Sequence, residues 1–330
     1  MKTEILAFLT AFVTCALLLK ILLPLLKRKD AKQEILVYVK EHSHKSGTPT
    51  MGGIAFLLAG LFCVCLFVRG NAKLAILSAA ITLGYGIVGF LDDFIKIYFK
   101  RNLGLRAYQK ILIQLVIAVI VGVFVFRSPL IRSEFVIPFW NRTVQLGYWG
   151  IPLTIFIFLS CTNGVNLTDG IDGLATGVTL RYLLCFGVYV GVKISRFNSG
   201  GQILLAEEYT NVLILICIFS GALLAFRLFN CFPAKIFMGD TGSLALGGLV
   251  ASISVFTKFG LFIPFLGIMF VVSCASVVIQ VISFRFRKKR VFRMAPFHHH
   301  LQEKGMSETR IVVVYDTVTL LSGLLLGLFL

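Results

Sequence analysis

Charged side chains are scarce in this 330-residue chain: they make up 14% of it, and only 15 residues are acidic. Hydrophobic residues make up 58%. A typical soluble domain carries about 25% charged residues. The scarcity of charge therefore excludes an ordinary soluble enzyme and predicts a polytopic helical membrane protein.

Several sequence signatures are also missing. None of the eight cysteines forms a CxxC pair, which argues against a structural zinc site or a disulfide framework. There is no Walker phosphate loop, and the GxGxxG match at residues 84–89 lies inside an apolar run instead of following a strand. No cleavage site follows the first apolar run, so we expect it to be retained as a span. With no repeat or separate soluble region, we expect a single integral-membrane domain over residues 1–330.

Long apolar runs fill most of the sequence. A helix needs about 20 apolar residues to cross a bilayer, so the chain has room for roughly ten such helices. The aromatic-rich segments 135–140 and 144–149 predict a small β-hairpin outside the membrane. We predict an all-α fold, and its ten spans cover residues 4–26, 51–69, 73–91, 110–126, 148–163, 174–194, 211–229, 242–257, 260–283 and 311–330.

Basic residues are unevenly distributed among the loops. Alternate loops fall into two sets, one with twenty lysines and arginines and the other with nine. The positive-inside rule places the richer set in the cytoplasm, and with ten spans both termini are then extracytoplasmic. The opposite loops hold few acids, chiefly Glu134, Glu207 and Glu208. The net charge of +17 favours anionic lipids and phosphorylated substrates.

The most polar stretch near the membrane is residues 163–173, which follows one apolar run and precedes another. It offers two amides, Asn163 and Asn166, and two carboxylates, Asp169 and Asp172. Isolated carboxylates near hydrocarbon are costly, so such a cluster points to function. A polar connecting loop with helix-capping residues is the alternative, and this stretch alone does not decide between them.

Three further aspartates, Asp92, Asp93 and Asp240, lie at predicted span ends on the same side. Adjacent carboxylates repel unless a cation, a proton or solvent relieves them. Mg²⁺ typically binds one or two carboxylates together with water and substrate phosphates. Capping and solvated loop ends are the alternative, but the convergence of carboxylates at one membrane face favours a divalent-cation site.

Two glycine-rich segments at predicted helix starts suit an anion. Residues 239–243 form a loop-to-helix junction at which backbone N–H groups can meet phosphate, and Phe237 before it can stack on a nucleobase. Residues 47–53 follow Lys45 and include Thr50. For residues 47–53 the alternative is simple capping, and for Phe237 and the junction after it the alternative is an apolar residue that enters a membrane helix.

Three consecutive histidines, residues 298–300, lie in a basic segment. Three successive residues cannot share one helix face, so at most two of them meet a single ligand. Histidine can donate to phosphate, transfer protons or bind a metal.

These motifs together resemble those of the MraY family, the phospho-N-acetylmuramoyl-pentapeptide-transferases. This family belongs to the larger group of polyprenyl-phosphate N-acetylhexosamine-1-phosphate transferases. One departure is Gln302, where the family usually has Glu two places after the third histidine, so the role of that glutamate is in doubt here. The matching motifs are GTPTMGG at 47–53, DDFIK at 92–96, KRNLGL at 100–105, NGVNLTDGIDGLA at 163–175, FMGDTGS at 237–243 and MAPFHHHLQEKGMSETR at 294–310.

The resemblance implies transfer of phospho-MurNAc-pentapeptide from UDP-MurNAc-pentapeptide to undecaprenyl phosphate, which yields lipid I and UMP. It also implies Mg²⁺ as cofactor, a site at the cytoplasmic face and residence in the bacterial inner membrane. The partners are then the two substrates and the lipid bilayer, without nucleic acid, and a homodimer is left open. An aspartate that attacks first and a lipid phosphate that attacks directly both remain open.

By similarity, Asp240 is the best metal ligand, Asp92, Asp93 and His299 are catalytic, and Lys96, Asn230, Phe237 and Asp172 lie near the uridine. With the residue patterns above, the catalytic candidates are Asp92, Asp93, Asp169, His298, His299 and His300. The metal-ligand candidates are Asp240 and Asp93. The substrate-binding candidates are Lys45, Thr50, Lys96, Asn163, Asn166, Asp172, Asn230 and Phe237.

Two other functions compete with this interpretation. One is a relative that uses UDP-N-acetylglucosamine as donor. The other is a cation- or proton-coupled transporter, which should carry its charges and helix breaks near the membrane midplane. Here the aspartates lie at span ends and the helices between them are expected to be nearly free of charge, which disfavours transport.

Overall fold

The computed structural model describes residues 2–28, 47–99, 104–140 and 142–329, and these are predominantly helical. Short helices α9 (Ile263–Leu266) and α11 (Phe297–Gln302) connect longer ones. The longer helices are α1 (Lys2–Arg28), α2 (Gly53–Phe67), α3 (Lys73–Tyr98), α4 (Ala107–Arg127), α5 (Gly150–Thr168), α6 (Leu174–Ser199), α7 (Ile203–Asn230), α8 (Gly239–Phe256), α10 (Ile268–Arg287) and α12 (Glu308–Gly327).

Within the described ranges, nine helices are long and apolar enough to cross a membrane, and α2 is a shorter apolar helix of 15 residues. Each of the ten predicted spans overlaps one of these helices, with the differences in bounds given below. The outer helices expose many large aliphatic side chains, such as Leu9 of α1, Ile120 of α4 and Ile282 of α10. The prediction of an all-α, multi-pass membrane protein is confirmed.

Several predicted span boundaries are wrong. Helix α3 continues past residue 91 to Tyr98, so Asp92 and Asp93 lie inside this helix. Helix α5 continues to Thr168, so Asn163 and Asn166 lie in its last turns and not in a loop. The ninth predicted span is interrupted at Gly267, where α9 ends before α10 begins. Pro264 stands in the first turn of α9, where a proline is accepted because its missing N–H would have no partner within the helix.

The seventh predicted span begins too late. Helix α7 starts at Ile203, so Glu207 and Glu208 are helical and not loop residues. The buried carboxylate of Glu208 accepts hydrogen bonds from the backbone N–H groups of Lys73 (3.2 Å) and Leu74 (2.9 Å). It thereby satisfies free N–H groups at the start of α3, and this capping role accounts for its burial.

The predicted hairpin is confirmed, with shorter strands than expected. Strands β1 (Glu134–Ile137) and β2 (Arg142–Gln145) pair antiparallel. Residues 147–149 form a 3₁₀ turn that leads into α5. The hairpin is fixed to the bundle by a 2.5 Å contact between Lys258 Nζ and Glu134 Oε2.

Helix α8 lies at the centre of the bundle. All of its residues from Thr241 to Phe256 are buried. It packs closely on α3 because Gly89 has no side chain: a Cβ there would collide with the backbone of Asp240 and Thr241. Such close backbone approach through small residues is typical of membrane helices. It brings the aspartates at the end of α3 next to the start of α8.

The membrane-spanning helices carry few charges, as expected, and three of the charged residues pair with one another. Arg181 of α6 and Arg227 of α7 both form ion pairs with Asp316 of α12. Ionisable side chains inside membrane helices usually pair with one another, because an isolated charge there is costly.

Candidate active site

The carboxylates of Asp92, Asp93 and Asp240 converge at the contact between α3 and α8. One oxygen from each lies within 4.8 Å of the others. Asp92 and Asp93 are buried, and Asp240 is partly buried. The structure thus brings together two segments that are about 150 residues apart in sequence, as their positions at predicted span ends indicated.

Asp93 caps the N-terminus of α8. Its Oδ1 accepts a hydrogen bond from the backbone N–H of Asp240 (3.1 Å). Its Oδ2 accepts one from the backbone N–H of Thr241 (2.9 Å) and another from the Thr241 hydroxyl (2.7 Å). A carboxylate has about four lone-pair sites. These three hydrogen bonds use three of them on Asp93, so roughly one remains for a further partner. The negative charge also interacts favourably with the helix N-terminus.

Two lysines balance the negative charge of this cluster. Lys96 Nζ lies 2.6 Å from Asp92 Oδ2 and 2.7 Å from Asp240 Oδ2. Lys110 Nζ lies 3.0 Å from the same oxygen of Asp240. Lys96 was predicted as a substrate contact, whereas Lys110 was missed. The available signal for Lys110 was a lysine in the first turn of a span that follows the KRNLGL motif.

The other oxygen of Asp240 is held by an amide. Asn166 Nδ2 donates to Asp240 Oδ1 (2.6 Å) and lies 2.8 Å from Ser243 Oγ. Because α5 continues through residue 168, Asn166 projects from a rigid helix toward α8. Asp92 is similarly restrained, since its Oδ1 accepts a hydrogen bond from the backbone N–H of Leu105 (2.8 Å).

Asp169 follows the last residue of α5, and its carboxyl group interacts electrostatically with the carboxylates of this cluster. Burial of the carboxyl group raises the pKa of Asp169 to about 8, with further contributions from the negative charges of Asp240, Asp93 and Asp172. Such a carboxyl binds a proton near neutral pH unless added positive charge offsets the neighbouring carboxylates.

Asn163 faces elsewhere. Its Nδ2 donates to Oε1 of Gln114 (2.8 Å) and to the carbonyl oxygen of Leu159 (2.9 Å). These bonds join α5 to α4. The Asn163 amide therefore stabilises the contact between these two helices. It makes no hydrogen bond to Asp92, Asp93 or Asp240.

The segment 49–53 pairs with the segment 237–238. Gly52 N–H donates to the carbonyl of Phe237 (2.9 Å), and Phe237 N–H donates to the carbonyl of Pro49 (2.8 Å). Thr50 is buried, and Phe237 is partly buried. The two glycine-rich segments are thus adjacent at the start of α8, whereas Lys45 lies outside the described residues.

Asp172 and Asn230 shape the connection between α7 and α8. Asp172 Oδ2 accepts a hydrogen bond from the backbone N–H of Ala234 (2.9 Å). Asn230 is buried, donates to the carbonyl of Ile236 (3.0 Å) and accepts from the hydroxyl of Thr176 (2.7 Å). Both residues therefore fix the backbone that leads into Phe237.

The three histidines have different environments. His298 is buried against Gly170, where any Cβ would collide with its ring. His299 Nδ1 is hydrogen-bonded to Gln302 Oε1 (2.7 Å). Nδ1 of His300 accepts the backbone N–H of Arg293 (3.1 Å). Burial, followed by the positive charges of Lys304 and Arg293, lowers the pKa of His300 and favours this neutral, accepting form.

The acidic cluster suits a hard divalent cation. Carboxylate oxygens are the ligands that Mg²⁺ prefers, and three of them converge here within reach of a single ion. The lysine ammonium groups already place positive charge against Asp92 and Asp240.

Thr241 and Ser243 were not among the site residues predicted from the sequence, although both stand in the GDTGS motif.

The chain is similar to known proteins over nearly its whole length. The family model for glycosyl transferase family 4 matches residues 74–258, and phospho-N-acetylmuramoyl-pentapeptide-transferase signature 1 matches residues 45–57.

Curated relatives carry the same enzyme name. The phospho-N-acetylmuramoyl-pentapeptide-transferase of Clostridium novyi (strain NT) is 39% identical, with 97% of this chain and 95% of the relative covered. That of Geobacillus sp. (strain WCH70) is 41% identical, with 98% and 97% covered. That of Clostridium kluyveri (strain NBRC 12016) is 42% identical, with 95% of each covered. The chain therefore belongs to glycosyl transferase family 4 and, within it, to the phospho-N-acetylmuramoyl-pentapeptide-transferases.

Proposed function

We propose that this protein transfers phospho-MurNAc-pentapeptide from UDP-MurNAc-pentapeptide to undecaprenyl phosphate, forming lipid I and UMP. The observation that carries the proposal is the cluster of Asp92, Asp93 and Asp240 with two lysines at one end of an apolar helix bundle. A site at a bundle end suits a reaction between a water-soluble nucleotide sugar and a membrane-embedded lipid phosphate. Full-length similarity to relatives that carry this enzyme name supports the same reaction.

The bonds change as follows. An oxygen of undecaprenyl phosphate forms a bond to the phosphorus that carries the sugar. The bond from that phosphorus to the bridging oxygen breaks, and UMP leaves with the electron pair. Because both reactants are anions, positive charge at the site must offset their repulsion.

We assign that charge to Lys96, Lys110 and a magnesium ion. Mg²⁺, when bound, neutralises charge on the transferring phosphate oxygens. Asp240 and Asp93 would hold it, with Asp92 beside them. The fixed position of Lys96 between Asp92 and Asp240 supports a role in orienting phosphate oxygens, because a cation held in place needs little reorganisation during reaction.

The remaining candidates surround this cluster. We assign uridine binding to the backbone around Phe237, which Asp172 and Asn230 hold in place. His298 and His299 lie on the segment packed against Gly170, next to Asp169, and we assign them to the donor's phosphates and sugar. Asn163 and His300 serve in supporting the site, since their hydrogen bonds join neighbouring segments.

We place this site at the cytoplasmic face of the bacterial inner membrane, with both termini outside. The excess of Lys and Arg in one set of loops supports this orientation. Labelling of a cysteine placed at residue 328 tests it: reagent confined to the outside should reach that cysteine, and protection there would contradict the proposal.

Donor choice tests the proposed reaction. The purified protein, undecaprenyl phosphate and Mg²⁺ are incubated with either UDP-MurNAc-pentapeptide or UDP-N-acetylglucosamine, and kcat/KM is measured from UMP release. We expect at least about a 100-fold preference for the first donor, which corresponds to roughly 2.7 kcal/mol of differential transition-state binding. Comparable values would favour a UDP-N-acetylglucosamine-using relative instead.

A further inference from the structure

Asp316 of α12 lies between two arginines inside the membrane-spanning region. Its Oδ2 is 2.7 Å from Nη2 of Arg227 on α7 and 3.2 Å from Nη2 of Arg181 on α6. Gly177 of α6 makes room for this arrangement, because a Cβ there would collide with both the Asp316 carboxylate and the Arg227 guanidinium. Three helices that are distant in sequence therefore meet at one charged cluster.

The cluster carries excess positive charge. Within the described part of the chain, Asp316 is the one carboxylate that forms an ion pair with either arginine. Two guanidinium groups against one carboxylate leave a net charge of +1. Each guanidinium has five N–H donors, so the two arginines carry more donors than one carboxylate can accept. Within the described residues, Nη1 of Arg227 and Oδ1 of Asp316 are both buried without a hydrogen-bond partner. An ion pair that serves the fold alone needs only one arginine for one carboxylate. The second arginine adds an unpaired positive charge, which costs free energy inside the membrane unless an anion binds to it.

The two arginines of the cluster reach the lipid-facing surface, whereas Asp316 is buried. The side chains of Arg181 and Arg227 are 28% and 21% exposed. Large aliphatic neighbours are turned outward on each helix: Leu184 on α6, Leu228 on α7 and Val313 on α12. We call the partly exposed surface of α6 and α7 beside these aliphatic side chains the groove; it carries the positive charges of Arg181 and Arg227.

The depth of the cluster matches the headgroup region. Arg181 is seven residues from the start of α6, Arg227 three from the end of α7 and Asp316 eight from the start of α12. At about 1.5 Å per residue, these positions lie roughly 5–12 Å inside the helix ends. The ends concerned belong to the same side of the bundle as Asp169, which precedes α6. Long arginine side chains can reach lipid headgroups from there.

We propose that Arg181 and Arg227 form a binding site for the phosphate of an anionic phospholipid, whose acyl chains lie along the groove beside Leu184 and Leu228. The guanidinium fork matches phosphate oxygens in geometry and charge. Basic pockets between membrane helices are suited to anionic headgroups. Asp316 is the positioning residue, because its ion pairs fix both guanidinium groups beside the groove. This site is independent of the proposed transfer reaction.

The position of the site links the lipid to the helices around Asn230. Arg227 and Asn230 are one turn apart on α7, and Asn230 is bonded to Thr176, next to Gly177 on α6. A phosphate that bridges Arg181 and Arg227 would therefore strengthen the contact between α6 and α7 close to the hydrogen bond between Thr176 and Asn230.

The test measures lipid binding by the delipidated full chain in detergent. Native mass spectrometry gives the Kd for phosphatidylglycerol and for phosphatidylcholine in the parent protein, Arg181→Gln and Arg181→Lys. Arg196→Gln is the matched control, because it removes the same charge from the other end of α6. Arg181→Gln leaves the shorter Asp316–Arg227 pair in place, so the fold should be retained.

We expect the parent to prefer phosphatidylglycerol and Arg181→Gln to raise its Kd about tenfold, as expected for the loss of one charge-assisted contact. Arg181→Lys should give an intermediate Kd, and Arg196→Gln should stay within about twofold of the parent. Equal Kd values for the two lipids, no effect of Arg181→Gln, or the same loss in Arg196→Gln would overturn the proposal. Displacement of phosphatidylglycerol by an equal mole fraction of undecaprenyl phosphate would also overturn it, because the phosphate would then belong to the acceptor lipid.

Discussion

The side chain of Asp93 holds the first turn of α8 through Thr241, whose backbone N–H and hydroxyl both donate to the same carboxylate oxygen, at 2.9 and 2.7 Å. Asp93 thus joins two helices and also contributes to the acidic cluster. Because the start of α8 carries Asp240, the geometry of the site depends on this cap.

The cap predicts a stability effect of Asp93→Asn. An amide offers one acceptor oxygen in place of two and loses the charge beside the helix N-terminus. We expect a loss of about 1.5–3 kcal/mol, typical for hydrogen bonds to a charged group, together with loss of activity. Thermal unfolding in detergent measures this loss, with Glu303→Gln as the control because Glu303 is an exposed carboxylate that does not cap α8. An unchanged midpoint for Asp93→Asn would contradict the capping role.

Lys110 should matter for catalysis, although it was not among the site residues predicted from the sequence. Lys110→Gln removes one of the two cations on Asp240 Oδ2, and we expect kcat/KM to fall about 10- to 100-fold, or roughly 1.4–2.7 kcal/mol. Lys73→Gln is the matched control, since Lys73 begins α3 at the end opposite Asp92. Equal effects of the two substitutions would remove Lys110 from the site.

Much of this site could be predicted from the sequence, and the exceptions have physical reasons. Asp92, Asp93 and Asp240 were recognised because carboxylates at span ends on one side must lie near one membrane face. Lys110 was missed because its reach depends on how α4 packs beside α3. Asn163 was predicted as a substrate contact; the continuous α5, which a loop interpretation of residues 163–173 does not include, turns its amide toward Gln114. The pairing of Arg181 with Asp316 joins positions 135 residues apart, which single-sequence periodicity does not relate.

Asp92→Asn distinguishes two roles for that carboxylate. The second pKa of a phosphate monoester is about 6, so the acceptor lipid is mostly a dianion at neutral pH. If Asp92 acts as a base for the remaining monoanion, the variant should be strongly impaired at pH 6 and recover part of the parent rate by pH 9. A covalent nucleophile at Asp92 predicts near-zero activity at every pH, and trapping of a phosphorylated Asp92 would establish that mechanism.

Asp169 predicts a pH-dependent stability in the presence of a chelator. The pKa of its carboxyl is raised from 3.8 to about 8 in the folded state, so the folded protein binds an extra proton between these values. Stability must then fall as pH rises from about 4 to 8. Asp169→Asn cannot ionise, so its unfolding midpoint should rise relative to the parent between pH 5 and pH 8. A constant difference across that range would show that Asp169 is not perturbed.

Turnover by Asp240→Asn decides whether transfer takes place at the acidic cluster. The variant keeps the shape of the side chain and loses its charge. With saturating Mg²⁺, UDP-MurNAc-pentapeptide and undecaprenyl phosphate, the parent should release UMP in step with the formation of lipid-linked product. We predict that kcat of the folded variant falls by at least about 10³-fold, or roughly 4 kcal/mol. Turnover close to that of the parent would contradict the account.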